Sequence, residues 1–164
     1  MALDDDIAIL AKAPLFSLLE RDALRLVAFA SEARSLRAGD VLFRKGDRSD
    51  GGYVVSNGSL SLDANEDGSP AAFVAGPSAL IGQAALFTRI ARPATATAAE
   101  PSTVIRVTPS LMRRVLEEFP DAAAAMQNAM ADELTRLTQG LERVRQKLIA
   151  IDGGEIPAKS EDED

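Results

Sequence analysis

Arg92 is the residue whose type and position most directly suggest chemistry, because few acidic residues lie near it in the sequence. It belongs to the stretch GQAALFTRIARPATATA (82–98), between a glycine-led loop and a run in which small and β-branched residues alternate as in a strand. The uncharged polar residues upstream are Thr88 and Gln83, and the nearest carboxylate downstream belongs to Glu100. A guanidinium in this position can bind an anion from outside the chain, and it can equally be an ordinary solvated side chain. These residues alone leave the two interpretations open.

The composition removes most kinds of catalytic chemistry. The chain contains no cysteine, no histidine and no tryptophan. Disulfides, thiol nucleophiles, Cys/His zinc sites and Ser-His-Asp mechanisms are therefore excluded. A β-roll metalloenzyme of the cupin type would lack the histidines that bind its metal. Since no pair of acids stands out either, we predict a protein that is not an enzyme and that holds no metal or cofactor.

Charge and hydrophobicity limit the partners. A chain of 164 residues that is 46% hydrophobic fits one domain with a real core. Its net charge of −7 opposes binding to a phosphate backbone, and the basic residues between 143 and 147 are typical of a solvated helix face. The N-terminus, MALDDDIAIL, is acidic where a signal peptide would be basic, and no apolar run reaches membrane-spanning length. We therefore predict a cytoplasmic protein that contacts neither nucleic acid nor membrane directly.

The elements that must position Arg92 change in character along the chain. Asp4 or Asp5 is expected to cap a first helix, Pro14 interrupts it, and the helical pattern then resumes. From Arg34 to Val107, short runs of strand-forming residues alternate with turn residues. The predicted turns are Gly39-Asp40, Gly46-Asp47, Asn57-Gly58 and Asp67-Gly68. This pattern predicts an α+β fold in which helices flank an antiparallel β-roll of the jelly-roll type.

The C-terminal part is predicted to be helical. PSLMRRVLEEF forms one helix with Pro109 at its start, and Pro120 ends or kinks it. A long helix then runs from Asp121 to about Ile151. Gly153-Gly154 stop that helix, so we predict one domain over residues 1–152 and an acidic disordered tail over residues 153–164.

The long helix carries a regular apolar pattern. Its apolar residues are spaced 4, 3, 4, 3, 4 and 3 apart, which is an a/d repeat over three heptads. A strict 3.5-residue repeat gives a narrow stripe, whereas a helix that packs on its own core usually shows a wider one. The pattern favours a homodimer formed through this helix, and packing of the stripe on the chain's own barrel is the alternative. We call these residues the apolar seam: Met130, Leu134, Leu137, Leu141, Val144, Leu148 and Ile151.

Three stretches of the chain form a set of motifs in the predicted order of elements. PLFSLLERDALRLVA precedes the predicted strands, LRAGDVLFRKGDRSDGGYVVSNGSLSL contains the first of them, and IGQAALFTRIARPATATA carries Arg92. They resemble the opening helical motif, the first strands and the phosphate-binding cassette of the cyclic-nucleotide-binding domains of the catabolite activator protein type. The cassette of that family usually reads G-E-x-A-L, a short loop and R-[STA]-A. The resemblance covers about residues 7 to 152. It implies a β-roll with a long dimerisation helix and a ligand that is cAMP or cGMP.

The resemblance also implies a set of ligand-binding residues. Arg92 would supply the guanidinium that meets the cyclic phosphate, and the loop from Gly82 to Leu86 would supply backbone N–H groups. Gln83 stands where the family has a glutamate that accepts a hydrogen bond from the ribose 2′-hydroxyl. Thr138 on the long helix would contact the base. The full expected set is Gly82, Gln83, Ala84, Ala85, Arg92, Pro93, Ala94 and Thr138.

The sequence departs from the family pattern at positions that matter for binding. Gln83 can still accept a hydrogen bond, but without a charge. Pro93 replaces a residue that gives a hydroxyl or at least an N–H near the phosphate, and proline has neither. Leu137 and Thr138 lie where the activator protein has two hydroxylated residues, so one hydroxyl remains. These departures leave open a pocket that no longer binds nucleotide.

The resemblance therefore supports two functions. In transcription factors of the family a helix-turn-helix follows the long helix, whereas only about a dozen polar residues follow Ile151 here. The first hypothesis is a non-enzymatic cyclic-nucleotide sensor that dimerises through its last helix and acts through an unidentified protein partner. The second is a structural dimerisation or adaptor module that works by protein contact alone.

Overall fold

A computed structural model describes residues 2–65 and 73–151. The chain divides into two units, Met1–Ala123 and Ala124–Asp164, each with its own internal contacts. Part of the sequence prediction falls outside the described residues, namely the Asp67-Gly68 turn, the Gly153-Gly154 stop and the tail.

Two helices and a short 3-10 turn precede the strands. Helix α1 spans Ala2–Ala11, the 3-10 turn spans Phe16–Leu18, and helix α2 spans Arg21–Ala30. Asp4 or Asp5 was expected to cap α1, but both lie inside its first turn, where a carboxylate interacts favourably with the positive end of the helix dipole. The predicted break after α1 is confirmed, since α1 ends before Pro14.

The strands form two antiparallel sheets of four strands each, as predicted for a β-roll. One sheet has the order β1-β8-β3-β6 and the other has the order β2-β7-β4-β5. The strands are β1 Glu32–Leu36, β2 Val41–Phe43, β3 Gly52–Asn57, β4 Leu60–Asp63, β5 Phe73–Ala75, β6 Leu80–Ile81, β7 Thr95–Ala98 and β8 Ser102–Val107.

The core lies where the inner faces of the two sheets meet. Its buried members come from alternate positions of the strands, as a half-buried sheet requires. In β7, Ala96 and Ala98 are buried while Thr95 and Thr97 are half-buried, which explains the alternation in the sequence. Alanine leaves more room on the inner face than a larger side chain would. The core residues are Tyr53, Val55, Leu60, Ala75, Ile81, Ala96 and Val104.

Two helices follow the strands. Helix α3 spans Pro109–Glu118, and the Thr108 side chain caps it by accepting a hydrogen bond from the N–H of Leu111 at 3.1 Å. Helix α4 spans Pro120–Ile151, so the prediction that Pro120 ends the preceding helix is confirmed. Among the described residues, no helix has the length and apolar character needed to cross a membrane.

Most of the apolar seam lies on an exposed face of α4. The exposed fractions range from 53% for Val144 to 72% for Leu141. Soluble proteins rarely expose a row of large aliphatic side chains to this extent. A contiguous apolar patch of this kind generally marks a contact surface.

Candidate ligand-binding site

A cavity of about 270 Å³ lies in the first unit, beside the segment that carries Arg92. Strands β2, β4 and β6 contribute apolar side chains, and residues 82–94 supply the polar groups. The lining residues are Phe43, Leu62, Leu80, Ile81, Gly82, Gln83, Ala84, Ile90, Arg92, Pro93 and Ala94. The structure thus brings six of the eight residues of the expected set together around one cavity.

The guanidinium of Arg92 is buried, with only 3% of the residue exposed, so the interpretation as a solvated side chain is wrong. Its Nη2 donates to the carbonyl of Gly51 at 2.7 Å and to Oδ1 of Asp50 at 3.2 Å. The Cζ atom lies 4.1 Å from the ring centroid of Phe43, within cation–π range. Among the described residues, Nε and Nη1 have no hydrogen-bond acceptor. Two buried cationic donors of a cavity-lining residue therefore lack a partner among the described residues.

Burial and the neighbouring groups shift the pKa of Arg92 in opposite directions. Burial lowers the pKa of its guanidinium, while the neighbouring Tyr53 and Asp50 raise it. Burial, with the nearby Asp50 carboxylate, also raises the pKa of the Tyr53 hydroxyl to about 12, so that hydroxyl stays neutral. An anion against Nε or Nη1 would offset part of the cost of burying the cation.

Asp50 is the acidic partner that the sequence did not reveal. It precedes β3 and lies 42 residues before Arg92 in the chain. Its carboxylate accepts hydrogen bonds from the Tyr53 hydroxyl at 3.1 Å and from Nη1 of Arg106 at 3.4 Å. It also pairs with Arg34 at 3.5 Å. One carboxylate therefore connects the buried guanidinium with two arginines nearer the surface.

Gly82 brings the cassette backbone close to Arg92. Its φ is +83°, and a Cβ atom there would lie 2.9 Å from Nη1 of Arg92, so glycine is needed for both conformation and space. The N–H groups of Gln83 and Ala84 have no hydrogen-bond acceptor among the described residues. The residues that line the cavity therefore carry two backbone donors and two guanidinium donors without an acceptor among the described residues.

Ala85 does not line the cavity. Its N–H donates to the carbonyl of Gly82 at 3.0 Å, and the residue is fully buried. The 3-10 turn Ala84–Leu86 uses this hydrogen bond to close, which takes the Ala85 donor away from a ligand. In the structure, Ala85 therefore belongs to the buried scaffold rather than to the cavity lining.

Pro93 and Ala94 line the cavity directly after Arg92. The backbone of Arg92, just before them, makes two hydrogen bonds. Its N–H donates to the backbone carbonyl of Asp47 at 2.8 Å, and its carbonyl accepts from the N–H of Gly46 at 2.7 Å. Pro93 offers no donor here, as its residue type requires.

Thr138 is not among the cavity-lining residues. It lies on α4 in the second unit, where its hydroxyl donates to the carbonyl of Leu134 at 2.9 Å. A contact between Thr138 and a base stays a prediction.

A row of inward-facing residues crosses the second sheet beside the cavity. Phe43 pairs with Ala96, Ala96 pairs with Leu62, and Leu62 pairs with Phe73. Residues that pair directly across strands lie on the same face of the sheet. Phe73 ends the row on the edge strand β5 and is 57% exposed. We call these four residues the cross-sheet row.

Comparisons of sequence and of structure show which known proteins the chain is similar to. The model of the cyclic nucleotide-binding domain matches residues 33–119. A cyclic nucleotide-binding-like protein from Brucella abortus is 38% identical, with 70% of this chain and 99% of that chain covered and a TM-score of 0.63. The N-terminal domain of a transcriptional regulator from Streptomyces coelicolor is 30% identical, with 81% and 94% covered and a TM-score of 0.75.

A longer curated protein is also similar. Lysophospholipase nte1 from Aspergillus fumigatus is 31% identical over 127 residues, which is 76% of this chain. The chain spans about 8% of the length of that protein. The similarity therefore concerns one region of the fungal protein.

Proposed function

Because the chain belongs to the cyclic nucleotide-binding domain family, we propose that it binds cAMP or cGMP in the Arg92 cavity and signals through a protein partner. The observation that carries this proposal is the buried guanidinium whose Nε and Nη1 have no acceptor among the described residues. A cyclic phosphodiester carries one negative charge, which would match this cation. A regulatory binding role requires no catalytic group, and we place the protein in the cytoplasm as part of this proposal.

The phosphate belongs at the Gly82 side of the cavity. Nη1 of Arg92 faces Gly82, and the free N–H groups of Gln83 and Ala84 lie next to it in sequence. Charge-assisted hydrogen bonds from a guanidinium and from backbone N–H groups are the strongest that such a site can offer. Nη2 is held by Asp50 and Gly51, which orients the guanidinium before the ligand arrives.

The base belongs along the cross-sheet row. Phe43 occupies the Arg92 end of the row, so the apolar surface that remains for a base is that of Leu62 and Phe73. Phe73 lies on the inner face of an edge strand and is more than half exposed, which leaves its ring free to stack.

Phe73→Ala is expected to weaken cyclic nucleotide binding by about 1–3 kcal/mol, the usual contribution of stacking between a base and an aromatic ring. Val74→Ala is the matched control, because Val74 is 56% exposed and pairs with Ser61 on the opposite face of the sheet. Calorimetric titration of cAMP and cGMP into the three proteins measures the effect. Equal losses in the two variants would argue against stacking by Phe73.

Gln83→Glu is expected to tighten binding about fivefold, since a carboxylate makes a stronger hydrogen bond with the ribose 2′-hydroxyl than an amide does. Pro93→Ser is expected to tighten it as well, because serine restores an N–H and a hydroxyl beside the phosphate. The freed backbone offsets part of that gain. Gln83→Met, which removes the acceptor, is the control and should weaken binding. Titration with cAMP measures all three, and tighter binding by Gln83→Met would exclude the 2′-hydroxyl contact.

The proposed mode of action involves a dimer. The exposed seam of α4 supports self-association, because two such helices would bury each other's leucines in a parallel coiled coil. Contact between Thr138 and the base would then link ligand binding to the dimer by shifting the population between two helix packings.

A second candidate function has its own support. Asp50 already forms an ion pair with Nη2 of Arg92 at 3.2 Å, and Pro93 removes a donor from the cavity, so the site is less prepared for an anion than the family pattern implies. A dimeric adaptor with a pocket that binds no nucleotide would retain this scaffold. Titration of cAMP and cGMP into the wild-type chain separates the two: saturable heat supports the sensor, and its absence supports the adaptor.

A further inference from the structure

A polar groove of about 520 Å³ lies outside the nucleotide cavity, in the first unit. None of its lining residues belongs to the cavity. We call it the arginine groove and define it by Asp50, Thr88, Arg89, Arg106, Ser110 and Arg113.

The charges in the arginine groove are unbalanced. Arg89 and Arg113 are exposed and form no ion pair with the residues that the structure describes. Arg106 pairs with Glu32 at 3.0 Å and with Asp50 at 3.4 Å. Three guanidiniums and one carboxylate give the groove a formal charge of +2 (3 − 1), although the whole chain carries −7. A locally positive groove on an acidic protein attracts an anionic partner.

Asp50 does not cancel this charge. Its carboxylate already accepts hydrogen bonds from Arg34, Arg92 and Arg106 and from the hydroxyl of Tyr53. The cationic groups around Asp50 outnumber it, so Arg89 and Arg113 remain available to an external anion.

The donors of the arginine groove come from separate segments. Arg89 and Thr88 lie on the loop after the 3-10 turn of the cassette, whereas Ser110 and Arg113 lie on α3. Two guanidinium forks and two hydroxyls provide more donors than a carboxylate, with two oxygens, requires. They suit a phosphate monoester, which carries close to two negative charges and three terminal oxygens.

We propose that the arginine groove binds a phosphorylated serine or threonine in a partner polypeptide. Recognition of phosphorylated segments by arginine clusters is an established way of binding peptides. The groove has nearly twice the volume of the nucleotide cavity, so residues on either side of the phosphate fit beside it. The ring of Phe87 also lines the groove and offers an apolar contact for one of them.

The test measures binding of a fluorescein-labelled peptide that carries one phosphoserine between alanine and glycine residues. Fluorescence anisotropy with the full chain at low salt should show saturable binding, at least about tenfold tighter than that of the same peptide with serine or glutamate. Arg89→Gln and Arg113→Gln should each weaken binding about tenfold, the scale of one charge-assisted contact. Arg114→Gln is the matched control, because Arg114 is adjacent to Arg113 but pairs with Glu118 at 2.9 Å. It should leave binding unchanged.

Other results would overturn the proposal. These are equal binding of the three peptides, no binding of the phosphopeptide at millimolar concentration, and full binding by the Arg89→Gln/Arg113→Gln double variant.

A second experiment uses vesicles that contain phosphatidylinositol phosphates. Binding to these vesicles through Arg89 and Arg113, without phosphopeptide binding, would assign the groove to a membrane surface. Thermal unfolding of each variant checks that the exposed substitutions leave the fold intact, and we expect unchanged midpoints.

Discussion

Arg92→Ala is expected to weaken cyclic nucleotide binding by about 2–4 kcal/mol, or roughly 30- to 900-fold in the dissociation constant. The guanidinium is desolvated and has two free donors at the cavity wall, so it would carry most of the interaction with the phosphate. An exposed arginine is expected to contribute less than this buried one, because water competes with the ligand and screens the charge. Calorimetric titration of cAMP and of cGMP measures the loss.

Two further variants separate charge from packing at this position. Arg92→Lys keeps the positive charge but loses the planar set of guanidinium N–H donors, and it should retain part of the affinity. Arg48→Ala removes an exposed arginine whose backbone bridges to Ala91, and it should leave affinity unchanged. Because Arg92 also packs on Phe43, thermal unfolding without ligand reports any loss of stability separately. Wild-type affinity in Arg92→Ala would mean that the ligand binds elsewhere in the molecule.

The cassette could be predicted from the sequence because its residues are close together in the chain. Residues 82–94 form one continuous segment, so a local motif was enough to bring Gly82, Gln83 and Arg92 to one wall of the cavity. The β-roll was predictable for a related reason, since alternation and turn residues mark each strand locally. The positive φ at Gly82 is also a property of a single residue within this segment.

The partners that reach the site from elsewhere in the fold could not be predicted in this way. Asp50 meets Arg92 across 42 residues, and Phe73 joins the cross-sheet row only because β5 pairs with β4. Strand order and register decide these contacts, and a linear motif contains neither. Ala85 shows another limit of a linear motif, because the N–H that the motif offers to a ligand donates to the carbonyl of Gly82 within the 3-10 turn.

Leu141→Glu is the substitution expected to have the largest effect on assembly. Among the α4 residues up to 148, whose burial is described, Leu141 is the most exposed large hydrophobic residue, at 72%, and it lies in the middle of the apolar seam. In a parallel dimer, the same position of the partner helix would face it, so the variant would bury two carboxylates against each other. An uncompensated buried charge costs about 3–5 kcal/mol, which is roughly a 150- to 5000-fold weaker dimer.

The control for this prediction adds the same charge outside the seam. Gln139→Glu lies between Leu137 and Leu141 on α4, at the heptad position that points away from an a/d interface, and it should leave the dimer intact. Light scattering at micromolar concentration should show a dimer for the wild type and for Gln139→Glu, and a monomer for Leu141→Glu. A monomeric wild type at this concentration would exclude the seam as a dimer interface. Equal dissociation of the two variants would mean that added charge, rather than the loss of an apolar contact at Leu141, separates the chains.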